Sequence, residues 1–369
     1  MKRIFFVAGD PSGDMHAAEL ARTLKSELPQ IEIYSAGGKE LAVYTQQFLS
    51  LTDIAVTGIW EVLGHLPKIT QAFHQTLEKI REIKPDLVIL VDFPDFNLRL
   101  AKELKKQNFR IIYYISPQVW AWRRERVKLI KKYIDKMLVI FPFEEEFYKE
   151  EGIDAIYVGH PLAEKLLHLS EIDIYSRFGL EPQKTLISLL PGSRPNEIKK
   201  HLKIMLEAKT LLEKENSSLQ FALIKARNLP SYLFSTISDI TVIDDFSYQV
   251  IKNSTLAITA SGTATFELLL LEVPSVVIYR LSWLSYFLLK RLVKTEYISM
   301  ANILCQKKVF IELIQNQANP FLIAKTASSL LADPHKLSRL KFSLQKAKRP
   351  FLSLSHFRYT AEKIKAILF

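Results

Sequence analysis

A chain of 369 residues is too long for one ordinary core and suits two domains. Its 48% hydrophobic and 24% charged content excludes wholesale disorder, and its single cysteine, Cys305, excludes an internal disulfide and a cysteine-built metal site. A formal charge of +11 fits either a merely solvated basic surface or an anionic partner, a phosphorylated small molecule or an acidic membrane face before nucleic acid, for which no binding signature is present.

The first apolar run, Arg3–Ala8, imitates a signal sequence but is stopped by Asp10 and Asp14, so it reads as the first strand of a cytoplasmic protein. No uncharged apolar stretch approaches the roughly 18–20 residues that a bilayer span needs. The strand runs into Gly9-Asp10-Pro11-Ser12-Gly13-Asp14. Its glycines permit a tight turn before a helix whose free N–H groups attract an anion, with Ser12 or Asp14 as the helix cap. The spacing is not the G-x-G-x-x-G of dinucleotide binders.

Periodicity then predicts a helix over 15–28, a strand over 31–36, a helix over 69–83 and a strand over 87–91. That last strand ends in Asp92-Phe93-Pro94-Asp95-Phe96-Asn97. A carboxylate at a strand's carboxyl end, walled by Phe93 and Phe96, can be desolvated enough to act as a general base, while Asp95 or Asn97 caps the helix over 98–106. Strand 111–115 leads to a loop carrying Trp120, Trp122 and Arg123, suited to stacking a sugar, lining an acyl pocket, holding a phosphate or packing domains together. After a helix over 127–133 and a strand over 137–140, Gly159-His160-Pro161 closes the first half. His160 there is either a satisfied structural histidine or a residue of the cleft.

The polar stretch 169–184 is the candidate boundary, after which the alternation restarts. Strands are expected over 185–190, 220–224, 241–243, 256–259 and 275–279, and helices over 198–215, 248–253 and 264–271. The first of these strands ends in Pro191-Gly192-Ser193-Arg194-Pro195-Asn196, with Arg194 able to contact phosphate and Asn196 a credible cap. The fourth ends in Ser261-Gly262-Thr263, donors for a pyrophosphate at a helix start, with Thr263 adequate as a cap and Glu267 one turn further in. A carboxylate at Glu267 can accept from a ribose diol or simply favour the helix dipole. The apolar, aromatic and basic run 283–294 suits either an anionic bilayer surface or a buried helix. The expected class is α/β, with two Rossmann-like domains facing across a cleft: 1–168, joined by a C-terminal helix at 350–369, and 169–349.

Taken together these loops resemble the lipid-A-disaccharide synthase family, bacterial glycosyltransferases of the GT-B fold. The matching stretches stand in order along nearly the whole chain, at 8–14, 57–64, 92–97, 116–126, 141–144, 159–161, 191–197, 260–267 and 289–302. The resemblance implies inverting transfer of 2,3-diacylglucosamine from UDP-2,3-diacylglucosamine to 2,3-diacylglucosamine 1-phosphate. The products are a β-1,6-linked lipid A disaccharide 1-phosphate and UDP, with no cofactor and no metal. UDP is expected on Arg194, Ser261, Gly262, Thr263 and Glu267, and Asp92 as the base. Ser12, Gly13, Asp95, Asn97, Trp120, Trp122, Arg123 and His160 are then expected on the substrate side. Location at the cytoplasmic side of the inner membrane, on its anionic surface, follows from the acylated substrates; a homodimer is left open. The chain departs from the family at Asp10, where Glu is usual, and matches only in general character after Pro320. Another GT-B enzyme of UDP-sugars, a peptidoglycan-precursor transferase or a UDP-N-acetylglucosamine epimerase, would share the nucleotide loops without needing the tryptophan loop. A two-domain ligand-binding protein without catalysis would share only the fold.

Overall fold

The computed structural model describes residues 1–55, 62–117, 119, 125–226, 229–235, 237–280, 297–352 and 354–369. The chain divides into two compact units, Met1–Glu164 with Phe351–Phe369, and Lys165–Pro350.

The first unit is a seven-stranded, wholly parallel sheet. Its strands are β1 (Arg3–Ala8), β2 (Glu32–Gly37), β3 (Gln46–Ser50), β4 (Leu87–Val91), β5 (Ile111–Tyr114), β6 (Lys136–Val139) and β7 (Ala155–Tyr157), in spatial order β3-β2-β1-β4-β5-β6-β7. Ile4 to Ala8 and all of β4 have no solvent exposure, because helices cover both faces and every side chain of a central parallel strand must be apolar. The second unit repeats the plan with six strands, β8 (Thr185–Leu190), β9 (Leu219–Ile224), β10 (Thr241–Ile243), β11 (Leu256–Ala260), β12 (Ser275–Tyr279) and β13 (Ile311–Ile314), ordered β10-β9-β8-β11-β12-β13.

In each unit the strand order reverses once, between β1 and β4 and between β8 and β11. Helix connections leave such a pair in opposite directions, which opens a crevice at the strands' carboxyl ends where ligands bind. The register brings the exits level: Ala8 pairs with Val91, and Thr259 with Leu190. The turn at Gly9 therefore emerges beside Asp92, and Pro191 beside Ala260.

The Phe351–Phe369 segment returns to the first unit, where the helix His356–Leu368 packs on the helix Pro11–Glu27. His356 fixes it: its Nδ1 lies 2.9 Å from the Val158 carbonyl and its Nε2 2.5 Å from the Tyr114 hydroxyl, both buried. Burial pushes its pKa down to about 3, so the ring bridges these groups as neutral imidazole.

Four expected caps are corrected. The helices Pro11–Glu27, Pro94–Lys105 and Pro195–Glu215 start on a proline, whose missing N–H costs nothing in the first turn. The caps are thus the preceding residues, Asp10, Phe93 and Arg194, and not Ser12 or Asp14, Asp95 or Asn97, or Asn196. Gly262, not Thr263, caps Thr263–Leu270, since its φ of 153° suits only glycine. Asp14 serves a different helix, accepting from Gly38 N at 2.6 Å and Glu40 N at 3.0 Å. Strands β3, β7 and β13 were not expected.

Candidate active site

In the first unit the site is built at the β1–β4 crevice. Asp10 caps its helix through one carboxylate oxygen, which accepts from Gly13 N at 2.9 Å. The other, Oδ1, is buried without a hydrogen-bond partner. Gly9 has to be glycine, because a Cβ there would lie 2.2 Å from the Phe93 ring.

Asp92 and Phe93 both take left-handed backbone, with φ of 43° and 48°. For side-chain-bearing residues each such conformation costs on the order of 1–3 kcal/mol and persists only where neighbours impose it. Here they do. Asp92 N donates to the Tyr114 carbonyl at 3.1 Å, and its own carbonyl accepts from the Tyr113 hydroxyl at 2.5 Å and from Asn97 Nδ2 at 2.8 Å. Burial, reinforced by the neighbouring Asp10 charge, lifts the Asp92 carboxyl to a pKa of about 7. Because the Asn97 amide nitrogen is committed to the Asp92 and Val91 carbonyls, its Oδ1 is left buried and unbonded. The crevice thus holds a carboxylate poised near neutrality, an arrangement suited to taking a proton from a hydroxyl group.

In the second unit the loops after β8 and β11 lie at the other crevice. Gly192 has φ of 126°, and Ser193 N donates to Glu197 at 2.9 Å, which folds the loop over the helix start. The Arg194 side chain is 80% exposed and only 3.4 Å from Glu197, a loose surface pair that leaves the guanidinium able to meet an anion. Gly262 and Thr263 are exposed at the start of the helix Thr263–Leu270, whose first N–H groups point outward. Ser261 Oγ donates to the Ile298 carbonyl at 2.8 Å. Glu267 is half-buried and accepts from the Tyr248 hydroxyl at 3.0 Å, and burial raises its pKa. Lys165 lies over the Tyr248 ring, 5.4 Å from its centroid.

A profile described as lipid-A-disaccharide synthetase matches residues 4–363 of the chain. Lipid-A-disaccharide synthases of Coxiella burnetii and Trichlorobacter lovleyi are similar, at 38% identity over 334 residues (89% of each chain) and 40% over 339 residues (90% of this chain, 88% of the relative). The chain belongs to the lipid-A-disaccharide synthase family. Membership makes it a glycosyltransferase of lipid A biosynthesis. Its fold is that of GT-B enzymes. The UDP-N-acetylglucosamine 2-epimerase of Neisseria meningitidis, solved with UDP-N-acetylglucosamine, superposes with a TM-score of 0.62 at 12% identity, over 99% of this chain and 98% of that one. The calicheamicin glycosyltransferase gives 0.64 at 14% identity, over 100% and 98%.

The expected site residues of this family member do not all come together. Asp92 and Asn97 meet at one crevice beside Asp10 and the buried Gly13, while Arg194, Ser261, Gly262, Thr263 and Glu267 occupy the loops and first helical turns of the other. Ser12 is exposed, with its hydroxyl 3.5 Å from His16 Nε2, and Asp95 points to the surface in an ion pair with Arg126. His160 is buried, accepts from Leu162 N at 3.1 Å through Nδ1, and is held neutral by burial. Trp120, Trp122, Arg123 and the run 283–294 lie outside the described residues.

Sequence reasoning missed the supports. Tyr248 on Glu267 carried no signal. Glu312 accepts from Ile298 N, Ser299 N and Asn302 Nδ2, at 3.2, 2.9 and 2.8 Å, and so fixes the segment that receives the Ser261 hydroxyl. A carboxylate between isoleucine and leucine in an otherwise apolar strand was the sign available.

Proposed function

We propose that the chain transfers 2,3-diacylglucosamine from UDP-2,3-diacylglucosamine to the 6-hydroxyl of 2,3-diacylglucosamine 1-phosphate, giving the β-1,6-linked disaccharide 1-phosphate and UDP. The observation that carries the acceptor side is Asp92, a carboxylate at the β1–β4 crevice with a pKa near 7. In this reading Asp92 takes the proton of the attacking hydroxyl. Ser12, Gly13, Asp95 and His160 would shape that side, together with Trp120, Trp122 and Arg123.

The donor's diphosphate would lie on Ser261, Gly262 and Thr263 at a helix N-terminus, with Arg194 closing over it. Their fixed donors stabilise the negative charge that grows as UDP departs, without reorganisation at the moment of reaction. Glu267 exchanges its Tyr248 partner for the ribose diol. The +11 charge and the acylated substrates support work at the anionic surface of the inner membrane. Among the described residues no helix is long and apolar enough to cross it.

The test is to incubate the purified chain with both diacylated substrates and follow disaccharide and UDP by mass spectrometry. Formation of both products, absent with non-acylated sugars, supports the proposal; release of UDP without a disaccharide would overturn it.

A further inference from the structure

The helix Pro334–Leu352 contains six Lys and Arg and no Asp or Glu in its first sixteen positions or beyond. Its apolar side is accounted for: Leu337 is buried in the core of the second unit, Leu340 packs against that core, and Leu344 is fully buried. At 3.6 residues per turn these leucines share one face, and His335, Arg339, Phe342, Lys346 and Arg349 fall on the opposite one. All five are exposed, and Lys341 flanks them, also exposed. Among the described residues Arg339, Lys341, Lys346 and Arg349 have no carboxylate partner, whereas Lys348, on the flank, is tied to Glu272 at 2.5 Å. In the middle of this cationic stripe stands Phe342, 65% exposed.

A solvated helix face ordinarily mixes both signs of charge and keeps large apolar rings inside. Uncompensated cations around an outward aromatic ring match an anionic bilayer instead, with guanidinium and ammonium groups at the phosphates and the ring at the acyl boundary. Duplex nucleic acid, whose bases are already stacked, would satisfy the charges and leave the phenyl ring without a purpose, and the sequence carries no signature of a single-strand binder. We infer that the outer face of Pro334–Leu352 is the surface by which this chain docks on an anionic membrane. The inference rests on the membrane-surface part of the proposed function and gives it a location.

The experiment is co-sedimentation of the full chain with vesicles of phosphatidylcholine alone and of an equimolar mixture with phosphatidylglycerol. The parent protein is expected to sediment with the mixed vesicles only, and to be released by salt. Each basic residue near such a surface contributes roughly a factor of five, so Arg339→Glu with Lys346→Glu lowers the partition coefficient by about thirty-fold or more. Phe342→Ser lowers it by roughly ten-fold. Both variants change exposed positions, so an unaltered Tm and parental turnover on detergent-dispersed substrates are expected. If the parent binds mixed vesicles and both variants bind them equally well, the assigned face is wrong. If the parent binds neither vesicle, the membrane reading itself falls.

Discussion

Replacing Asp92 by Asn removes the charge and keeps the shape, and its consequences can be worked through with their sign. The fold raises this carboxyl from 3.8 to about 7, so ionisation is opposed in the folded state. The penalty is absent below 3.8, grows between 3.8 and 7, and is complete above 7. At 1.36 kcal/mol per pH unit it is about 2 kcal/mol at pH 5 and about 2–3 kcal/mol larger at pH 8. Asn carries no such penalty, so Asp92→Asn is expected to be the more stable protein, and more so as pH rises. For units of this size 1 kcal/mol moves Tm by about 2–4 °C, which makes the gain at pH 8 exceed that at pH 5 by about 5–10 °C. Turnover falls in the same variant by about 10²–10⁴, the usual contribution of a positioned base. Thermal melts of both proteins at the two pH values, with initial rates alongside, decide the matter. A gain in Tm that does not grow with pH would refute the raised pKa, and a near-parental rate would refute the base.

In the parent enzyme kcat/KM should rise with pH to a plateau above about 7, because the base must be ionised. Asp10→Asn keeps the helix cap but removes the neighbouring charge, and is expected to move that acidic limb to lower pH; a pH–rate profile with the limb unmoved would exclude the coupling. Arg194→Ala should weaken UDP binding by about ten- to a hundred-fold in calorimetry, the range for one charge-assisted contact to phosphate, with melting behaviour unchanged because the side chain is exposed. His356→Ala leaves the Tyr114 hydroxyl and the Val158 carbonyl without their partner, with an expected loss of about 2–4 kcal/mol and easier proteolytic cleavage of the helix His356–Leu368 from the first unit.

Much of the fold was legible because central parallel strands are buried on both faces. The strands around the two crevices, such as Arg3–Ala8 and Thr185–Leu190, show as apolar runs with the boundaries they have in space. The strands that escaped notice, β3, β7 and β13, are all sheet edges. Gln46–Ser50 has one neighbour and open sides, so nothing requires its residues to be apolar, and Ala155–Tyr157 is too short to show a period. Site loops were found by position after a strand. Their caps were misplaced because Pro11, Pro94 and Pro195 were read as loop residues instead of first helical residues. What composition cannot reveal is long-range pairing. Nothing in the sequence near Asp92 announces that Tyr113 will hold its carbonyl, or near Glu267 that Tyr248 will hold its carboxylate.

The return of Phe351–Phe369 to the first unit bears on how the molecule is made. A ribosome delivers Met1–Glu164 before this segment, with the whole of Lys165–Pro350 in between. Until Phe351–Phe369 has been made, the apolar side of the helix Pro11–Glu27 and the slot that receives His356 stay uncovered. The second unit, continuous in the chain, can close while the first waits. The unit begun earlier is therefore completed later, and a nascent chain stalled between Pro350 and the helix His356–Leu368 carries a complete second unit tethered to an incomplete first one.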